Sequence, residues 1–322
     1  MAANKLNNIL AADIGGTQSR FAHFLADPLT GELVSKETKV LATSDAASFK
    51  ALIQNLRDSD FKFAIEDADT TCLAVAGPVK GTYCKPPNID WDIDLSDQKN
   101  PGLNNAMMIN DFVALAYSTL SRVGKDAELI LPGEADPAGA IAVVGPGTGL
   151  GKSALIPDGR GSYVVMPSEG GHAQFPASDS REFEFTEFVK EKLGVQYASI
   201  DNIMTGGGMS LLNEFLTGER LTPHELTANL TDKSAAVKWG ARFLGRVARN
   251  FALDTLSTGG VFIAGGVAAR TPAFVYSEEF KAEFISSEKH ENLLKQIPVR
   301  LITDELAGLW GAGYKGMMEL KK

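Results

Sequence analysis

Cysteine is scarce in this chain of 322 residues, which has only Cys72 and Cys84. Two cysteines cannot build the multi-bridge framework of a small secreted domain, nor by themselves a four-ligand structural zinc site. They read as reduced thiols of a cytosolic protein. Basic residues are also few: 31 Lys and Arg against 40 Asp and Glu leave a net charge of −9. Affinity for a phosphate backbone needs concentrated positive charge, so no nucleic-acid partner is expected. Small anions stay compatible with this balance, because a helix N-terminus and a few backbone N–H groups hold a phosphate locally. No apolar run approaches the ~18 residues of a membrane-spanning helix, and no membrane association is expected. Residues 1–12 carry one lysine and a short apolar run that leads straight into Asp13, which is not the pattern of a signal peptide. Short-period repeats and low-complexity segments are missing as well.

Glycine is the residue in excess. The chain has 32, where a usage of about 7% gives roughly 23. Much of the surplus clusters at Gly15-Gly16, 145–151, Gly170-Gly171, 206–208, Gly259-Gly260 and Gly265-Gly266. This is not the every-third-residue spacing of collagen. With 44% hydrophobic residues between and around the clusters, it is not a disordered linker either. Glycine pairs at the ends of apolar runs point to backbone held close to a ligand. At about 150 residues per domain, the length predicts two domains.

Residues 8–12, 19–25 and 33–41 read as three consecutive strands. They predict an antiparallel meander rather than the strand-then-helix opening of a dinucleotide-binding unit. A helix is expected over 46–56, capped by Ser44 or Asp45. Strands follow at 70–75 and 106–109, and a helix at 112–120. The second half repeats the theme, with strands at 141–144 and 153–156 flanking the glycine loop. Helices are expected at 181–193 and 234–256, a strand at 261–264 running into Gly265-Gly266, a strand at 299–302 and a helix at 309–318. Two strand–glycine–strand hairpins, at Asp13 and at Gly147, predict two similar α/β halves.

Gly151-Lys152-Ser153 has the tail of a P-loop, but the first glycine of that motif would fall on Pro146. A strand also follows where the motif requires a helix. A dinucleotide fingerprint fails on the same ground. What remains is either a plain hairpin turn or a loop that lets backbone approach a ligand, with the Thr148 hydroxyl beside it. Three such loops, 13–17, 147–151 and 265–266, each follow an apolar strand, and together they favour phosphate or nucleotide binding. Asn110-Asp111 closes a strand. A hydroxyl attacks ATP well only when something accepts its proton, and a carboxylate at a strand end does this. Asp111 is equally placed to cap the helix that follows. In Glu169-Gly170-Gly171-His172, two polar groups bracket a glycine pair and suit several sugar hydroxyls, or a metal held by Glu and His. Asp13 is either a turn residue or a hard-cation ligand.

Asp13-Ile14-Gly15-Gly16-Thr17 with Arg20, then Gly147-Thr148-Gly149, then Ala264-Gly265-Gly266 resemble the two phosphate motifs and the adenosine motif of the sugar-kinase, actin and heat-shock ATPase superfamily. Their order and spacing along nearly the whole chain are similar to those of the bacterial glucokinase family outside the ROK group. The resemblance implies an α/β fold of two actin-like (ribonuclease H-like) domains with a central cleft and mixed sheets flanked by helices. The small domain would be 1–121 completed by a C-terminal helix at 305–322, and the large one 122–304. It implies transfer of the γ-phosphoryl group of ATP to the 6-hydroxyl of D-glucose, the entry to glycolysis, with Mg²⁺, in a cytoplasmic homodimer whose halves close around the sugar.

Residue by residue, the resemblance makes Asp111 the general base. Asn110, Asp111, Glu169, His172 and Asp201 become sugar ligands. Asn88 joins them, though it also reads as a turn residue after Pro86-Pro87. Gly15, Gly16, Thr17, Gly147, Thr148 and Gly149 would bind phosphates, Gly265 and Gly266 adenosine, and Asp13 the Mg²⁺ ion through water. ROK kinases follow such a histidine with a cysteine-rich zinc cluster. Nothing of that kind follows Ala173, so zinc is not expected. Asp201 departs from the pattern, because the family usually has glutamate there. Its side chain reaches about 1.2–1.5 Å less. Competing expectations are a kinase for mannose or N-acetylglucosamine, a non-metabolic actin-like ATPase, and a ROK-type regulator. The last needs a DNA-binding segment ahead of Asp13, where twelve residues stand.

Overall fold

In the computed structural model, residues 6–27, 29–97, 102–147, 149–229 and 234–320 are described. The chain divides into one unit of Met1–Asp126 with Asp304–Lys322 and a second of Ala127–Thr303. In the first, β1 (Asn7–Ile14), β2 (Gln18–Asp27) and β3 (Glu32–Ala42) form the expected antiparallel meander. β4 (Thr70–Val75) and β8 (Ala106–Asn110) then add in parallel, giving the order β3-β2-β1-β4-β8. Between them in sequence, β5 (Val79–Lys80), β6 (Tyr83–Cys84) and β7 (Ile93–Asp94) make a small antiparallel sheet.

β4 is buried along its whole length, as a strand covered on both faces must be. Leu10, Ala12 and Ile14 of β1 pack with Phe49, Leu52, Ile53 and Leu56 on one face. The helices Asp111–Ser118 and Ala307–Glu319 cover the other. They cross closely: a side-chain carbon at Gly311 would stand 1.7 Å from the Ala114 carbonyl oxygen.

The second unit repeats the plan. β10 (Ile141–Pro146), β11 (Leu150–Pro157) and β12 (Tyr163–Ser168) form a meander. β13 (Gly260–Ile263) and β14 (Val299–Leu301) extend β10 in parallel, and β9 (Glu128–Leu131) closes the edge antiparallel. Leu150 and Ala154 of β11 share a core with Phe243, Leu244, Val247 and Phe251 of the helix Ala235–Thr255. No described helix is long and apolar enough to cross a membrane.

One expectation needs correction. The first helix runs Phe49–Arg57, not 46–56, and its cap is Ser48, whose side chain accepts from the Ala51 N–H. Thr43–Asp45 forms a separate 3₁₀ turn, so neither Ser44 nor Asp45 caps. Gly206–Gly208 forms the first turn of the helix Gly206–Thr217, capped by Thr205. Gly208 lies so close to the Ile203 carbonyl oxygen, 2.3 Å from a built side-chain carbon, that only glycine fits.

Candidate active site

In the first unit, β1 and β2 pair as far as Ile14 with Ser19, and the Gly15 N–H donates to the Gln18 carbonyl at 3.0 Å. Gly16 and Thr17 are exposed at the tip. Thr43 fastens this turn from behind: its hydroxyl donates to the Gly15 carbonyl at 2.7 Å and its N–H to that of Thr17 at 3.0 Å. Sequence reasoning missed Thr43, which lies 28 residues from Gly15. Asn88 is brought to the same place, since a side-chain carbon at Gly16 would stand 2.8 Å from the Asn88 Cβ. Asp13 shares a face of β1 with Ile9, which meets Gly316, and lies against Gly308 of the same helix, Ala307–Glu319. Burial pushes its carboxyl up, while Arg20, 3.6 Å away, pulls it down.

The strand β8 ends at Asn110, and Asn110 caps the next helix. Its Oδ1 accepts from the N–H groups of Phe112 and Val113 at 2.9 and 3.3 Å. Its Nδ2 donates to the Gly77 carbonyl at 3.0 Å. Asp111 is therefore relieved of the capping role that its position allowed, and it stands as the first helical residue, accepting from Phe112 N–H at 3.0 Å. Burial, reinforced by the negative charge of Asp13, raises the Asp111 carboxyl to about 6.

In the second unit, three segments distant in sequence converge on one hairpin. β10 and β11 turn between Pro146 and Leu150, with the Gly147 N–H donating to the Gly149 carbonyl at 2.8 Å. Thr148 lies outside the described residues. Asp201 comes from the short helix Ile200–Ile203, held by a capping box of Ser199 and Asn202. Its Oδ1 accepts from the Leu150 N–H at 2.6 Å. The 3₁₀ turn Gly170–His172 presses on the same residue, because a side-chain carbon at Gly171 would be 1.9 Å from the Leu150 carbonyl oxygen. Gly171 is thus needed for packing between two ligand candidates.

The Glu169 and His172 side chains are 80% and 69% exposed and 3.8 Å apart. They are open to a ligand and not packed into the protein. Gly265, at φ +90°, lies beside Pro146 and precedes the helix Gly266–Arg270.

Lys152 is the lysine of the incomplete P-loop tail. It is buried on the face of β11 shared by Leu150 and Ala154, with its ammonium 5.4 Å from the Phe251 ring centroid. Burial pulls its amine below the usual lysine range, partly offset by Asp254. The signal was a lysine in register with apolar neighbours.

Among the described residues, no group of three or more His, Cys, Asp or Glu is placed to hold a metal. The negative charge of Asp13 acts on Asp111 in the same unit.

Two α/β units, each with a meander, a glycine hairpin and parallel strands after it, define a sugar kinase of the actin-like ATPase type. The family model for glucokinase matches residues 10–318. The chain is 33% identical over 318 residues to the glucokinase of Pectobacterium atrosepticum, covering 95% of each. The crystal structure of a glucokinase from an Antarctic psychrotroph is similar at a TM-score of 0.83 and 27% identity, covering 97% of this chain and 99% of that one. The fold is also that of the Balamuthia mandrillaris glucokinase, solved in complex with glucose, at a TM-score of 0.78 and 23% identity, covering 98% and 95%. The chain belongs to the glucokinase family.

Proposed function

We propose that the chain is an ATP-dependent glucokinase that moves the γ-phosphoryl group of ATP to the 6-hydroxyl of D-glucose. The observation that carries this is Asp111, a carboxylate at a strand end, freed from capping and raised to about 6 by burial and by Asp13. Such a group is ionised at neutral pH yet more basic than a free carboxylate, which suits a general base. Asp111 takes the hydroxyl proton as the new O–P bond forms and the bond from the γ-phosphorus to the bridging oxygen of ADP breaks.

Glu169 and His172 hold sugar hydroxyls, with Asn88 and Asn110 beside the base. The Asn110 amide gives one N–H to Gly77 and also bonds the Asp111 carboxylate. Gly15, Gly16 and Thr17 on one hairpin and Gly147, Thr148 and Gly149 on the other present backbone and hydroxyl groups to the phosphates. Gly265 and Gly266 let the chain approach adenosine. Asp13 would hold Mg²⁺ through water, and the ion would neutralise charge on the transferring phosphates. Positioning and charge stabilisation account for most of the rate in such a transfer. The family resemblance also supports a cytosolic homodimer.

The test is ADP release from Mg-ATP with glucose, mannose, N-acetylglucosamine and no sugar. Stimulation by glucose above the others supports the proposal. Release independent of sugar would favour a non-metabolic ATPase, and preference for another hexose would reassign the substrate. Asp111→Ala is expected to lower kcat by about 10²–10⁴ with ATP binding kept. Near-normal turnover would remove Asp111 as the base.

A further inference from the structure

We propose that Thr43, with Ser19 behind it, is a positioning residue for ATP that fixes the Gly15–Thr17 tip of the first hairpin. The role rests on the glucokinase reading above, in which that tip meets phosphates. Thr43 is 2% exposed and Ser19 is fully buried. The Thr43 hydroxyl gives its one proton to the Gly15 carbonyl at 2.7 Å. Ser19 Oγ, 2.8 Å from that hydroxyl, must then be the donor to it. Two buried hydroxyls thus form a relay that ends on the backbone of the tip.

The effect of the relay follows from the peptide plane. In a trans peptide the carbonyl and the next N–H point in opposite directions. Drawing the Gly15 carbonyl toward buried Thr43 turns the Gly16 N–H the other way, to the exposed side of the turn. The Thr43 N–H holds the Thr17 carbonyl at 3.0 Å, so Gly16 is gripped on both sides. Among the described residues, neither the Gly16 N–H nor the Thr17 N–H has an acceptor in the protein. The bond to Gly15 also polarises that peptide, which makes the Gly16 N–H a stronger donor to an anion.

Thr43 is itself held in place. It opens the 3₁₀ turn Thr43–Asp45, directly after β3 ends. The Asn55 amide donates to the Asp45 carbonyl at 3.3 Å, and the Trp91 indole to the Ala46 carbonyl at 2.8 Å. Trp91 lies just after Asn88, which closes on Gly16. A turn with two glycines has many conformations to lose, and holding one of them in advance lowers the cost of meeting phosphates.

The experiment measures KM for ATP at saturating glucose, and Kd for glucose by calorimetry, in the parent, Thr43→Val, Thr43→Ser and Ser19→Ala. Thermal unfolding is recorded for each. Thr43→Val keeps the branched shape and the backbone bond to Thr17 but loses the hydroxyl. It should raise KM for ATP about three- to ten-fold, the worth of one hydrogen bond. Glucose Kd should stay within about two-fold, because no sugar ligand is touched. Thr43→Ser keeps the hydroxyl and should bring KM for ATP close to that of the parent, even where its melting temperature falls. Ser19→Ala removes only the outer hydroxyl and should raise KM for ATP by less than Thr43→Val does. It reads the role if Thr43→Val fails to fold.

Unchanged KM for ATP in both Thr43→Val and Ser19→Ala would overturn the proposal, as would KM for ATP and glucose Kd rising together. An equal rise in Thr43→Ser and Thr43→Val would overturn it too, since packing and not the hydroxyl would then matter. If the parent shows no glucose-stimulated ADP release, the glucokinase reading has failed on its own. The positioning role is then read from calorimetric binding of Mg-ATP, which Thr43→Val must still weaken.

Discussion

Asp111 and Asp13 each sit in surroundings that favour the neutral acid, and the charge of Asp13 makes Asp111 harder to ionise. The base must be ionised to take a proton. Activity should therefore fall as pH drops through the Asp111 pKa, about 6, and stay level above it. In kcat/KM for glucose, the expected acid limb loses about ten-fold per pH unit below that point. Asp13→Asn removes the neighbouring charge, so the limb should move to lower pH while turnover falls through loss of the Mg²⁺ support. A limb that stays near 6 in that variant would assign the titration to another group. For the same reason the pair works against stability at neutral pH: a carboxyl raised in the folded state is best accommodated below its unfolded pKa, and that benefit is lost as pH rises through 6. The site trades stability for a stronger base.

At the level of elements, the first meander and both glycine hairpins were legible because their signals are local, while the third strand of the second meander, Tyr163–Ser168, was not read. Apolar alternation has a period of two, and glycine marks a strand end within a few residues. The first helix slipped because Ala46 and Ala47 extend its apolar pattern backwards, while the cap chemistry belongs to Ser48. Asn110 and Asp111 are both cap-forming residues, and only the backbone geometry decides that Asn110 caps. What had no local trace was the convergence of Gly171 and Asp201 on Leu150, and of Thr43 on Gly15, because contacts across dozens of residues leave no periodicity. Gly171→Ala tests the first of these. Its added carbon would stand 1.9 Å from a backbone oxygen that cannot swing aside, so the Glu169–His172 turn must shift. The expected cost is about 1–3 kcal/mol in unfolding free energy, together with a raised KM for glucose. Gly147→Ala, whose nearest neighbour is 3.6 Å away, is the control and should keep its melting temperature.

Across the whole molecule, acidic residues predominate, yet the second unit buries charge in balanced form. Glu182 is fully buried on the helix Ser180–Leu193, and Arg246 of the helix Ala235–Thr255 is nearly so. Arg242 reaches the same carboxylate at 2.6 Å, while Arg246 also holds Glu283 at 2.8 Å, tying in the helix Glu278–Ile285. Burial alone would raise the Glu182 carboxyl, but Arg246, the Ser178 N–H and Arg242 hold it below the usual range. Its contribution is thus present at neutral pH and lost as pH falls through the depressed value. Glu182→Gln leaves the guanidiniums short of an anion and should cost about 3–5 kcal/mol, read as a fall in melting temperature. Kinetic constants per folded molecule should not change. An equal fall in the parent's stability margin at pH 7 and pH 3 would contradict the ionic account.

The first unit is interrupted in sequence, and this bears on how the protein is made. The strands β1 and β4, with Asp13 and the segment that carries Asp111, leave the ribosome early. The helix Ala307–Glu319, which packs on them, follows the entire second unit. At about 5–20 residues per second, translating that intervening stretch takes on the order of 10–35 s. Throughout that interval Ile9, Ala11 and Cys72 lack part of their covering, an apolar surface of the kind that chaperones hold. The second unit, contiguous from Ala127 to Thr303, has no such wait. Asp13 gains the helix beside it only after Ala307–Glu319 has been synthesised, so a nascent chain carries its glycine hairpins well before Asp13 has its full covering.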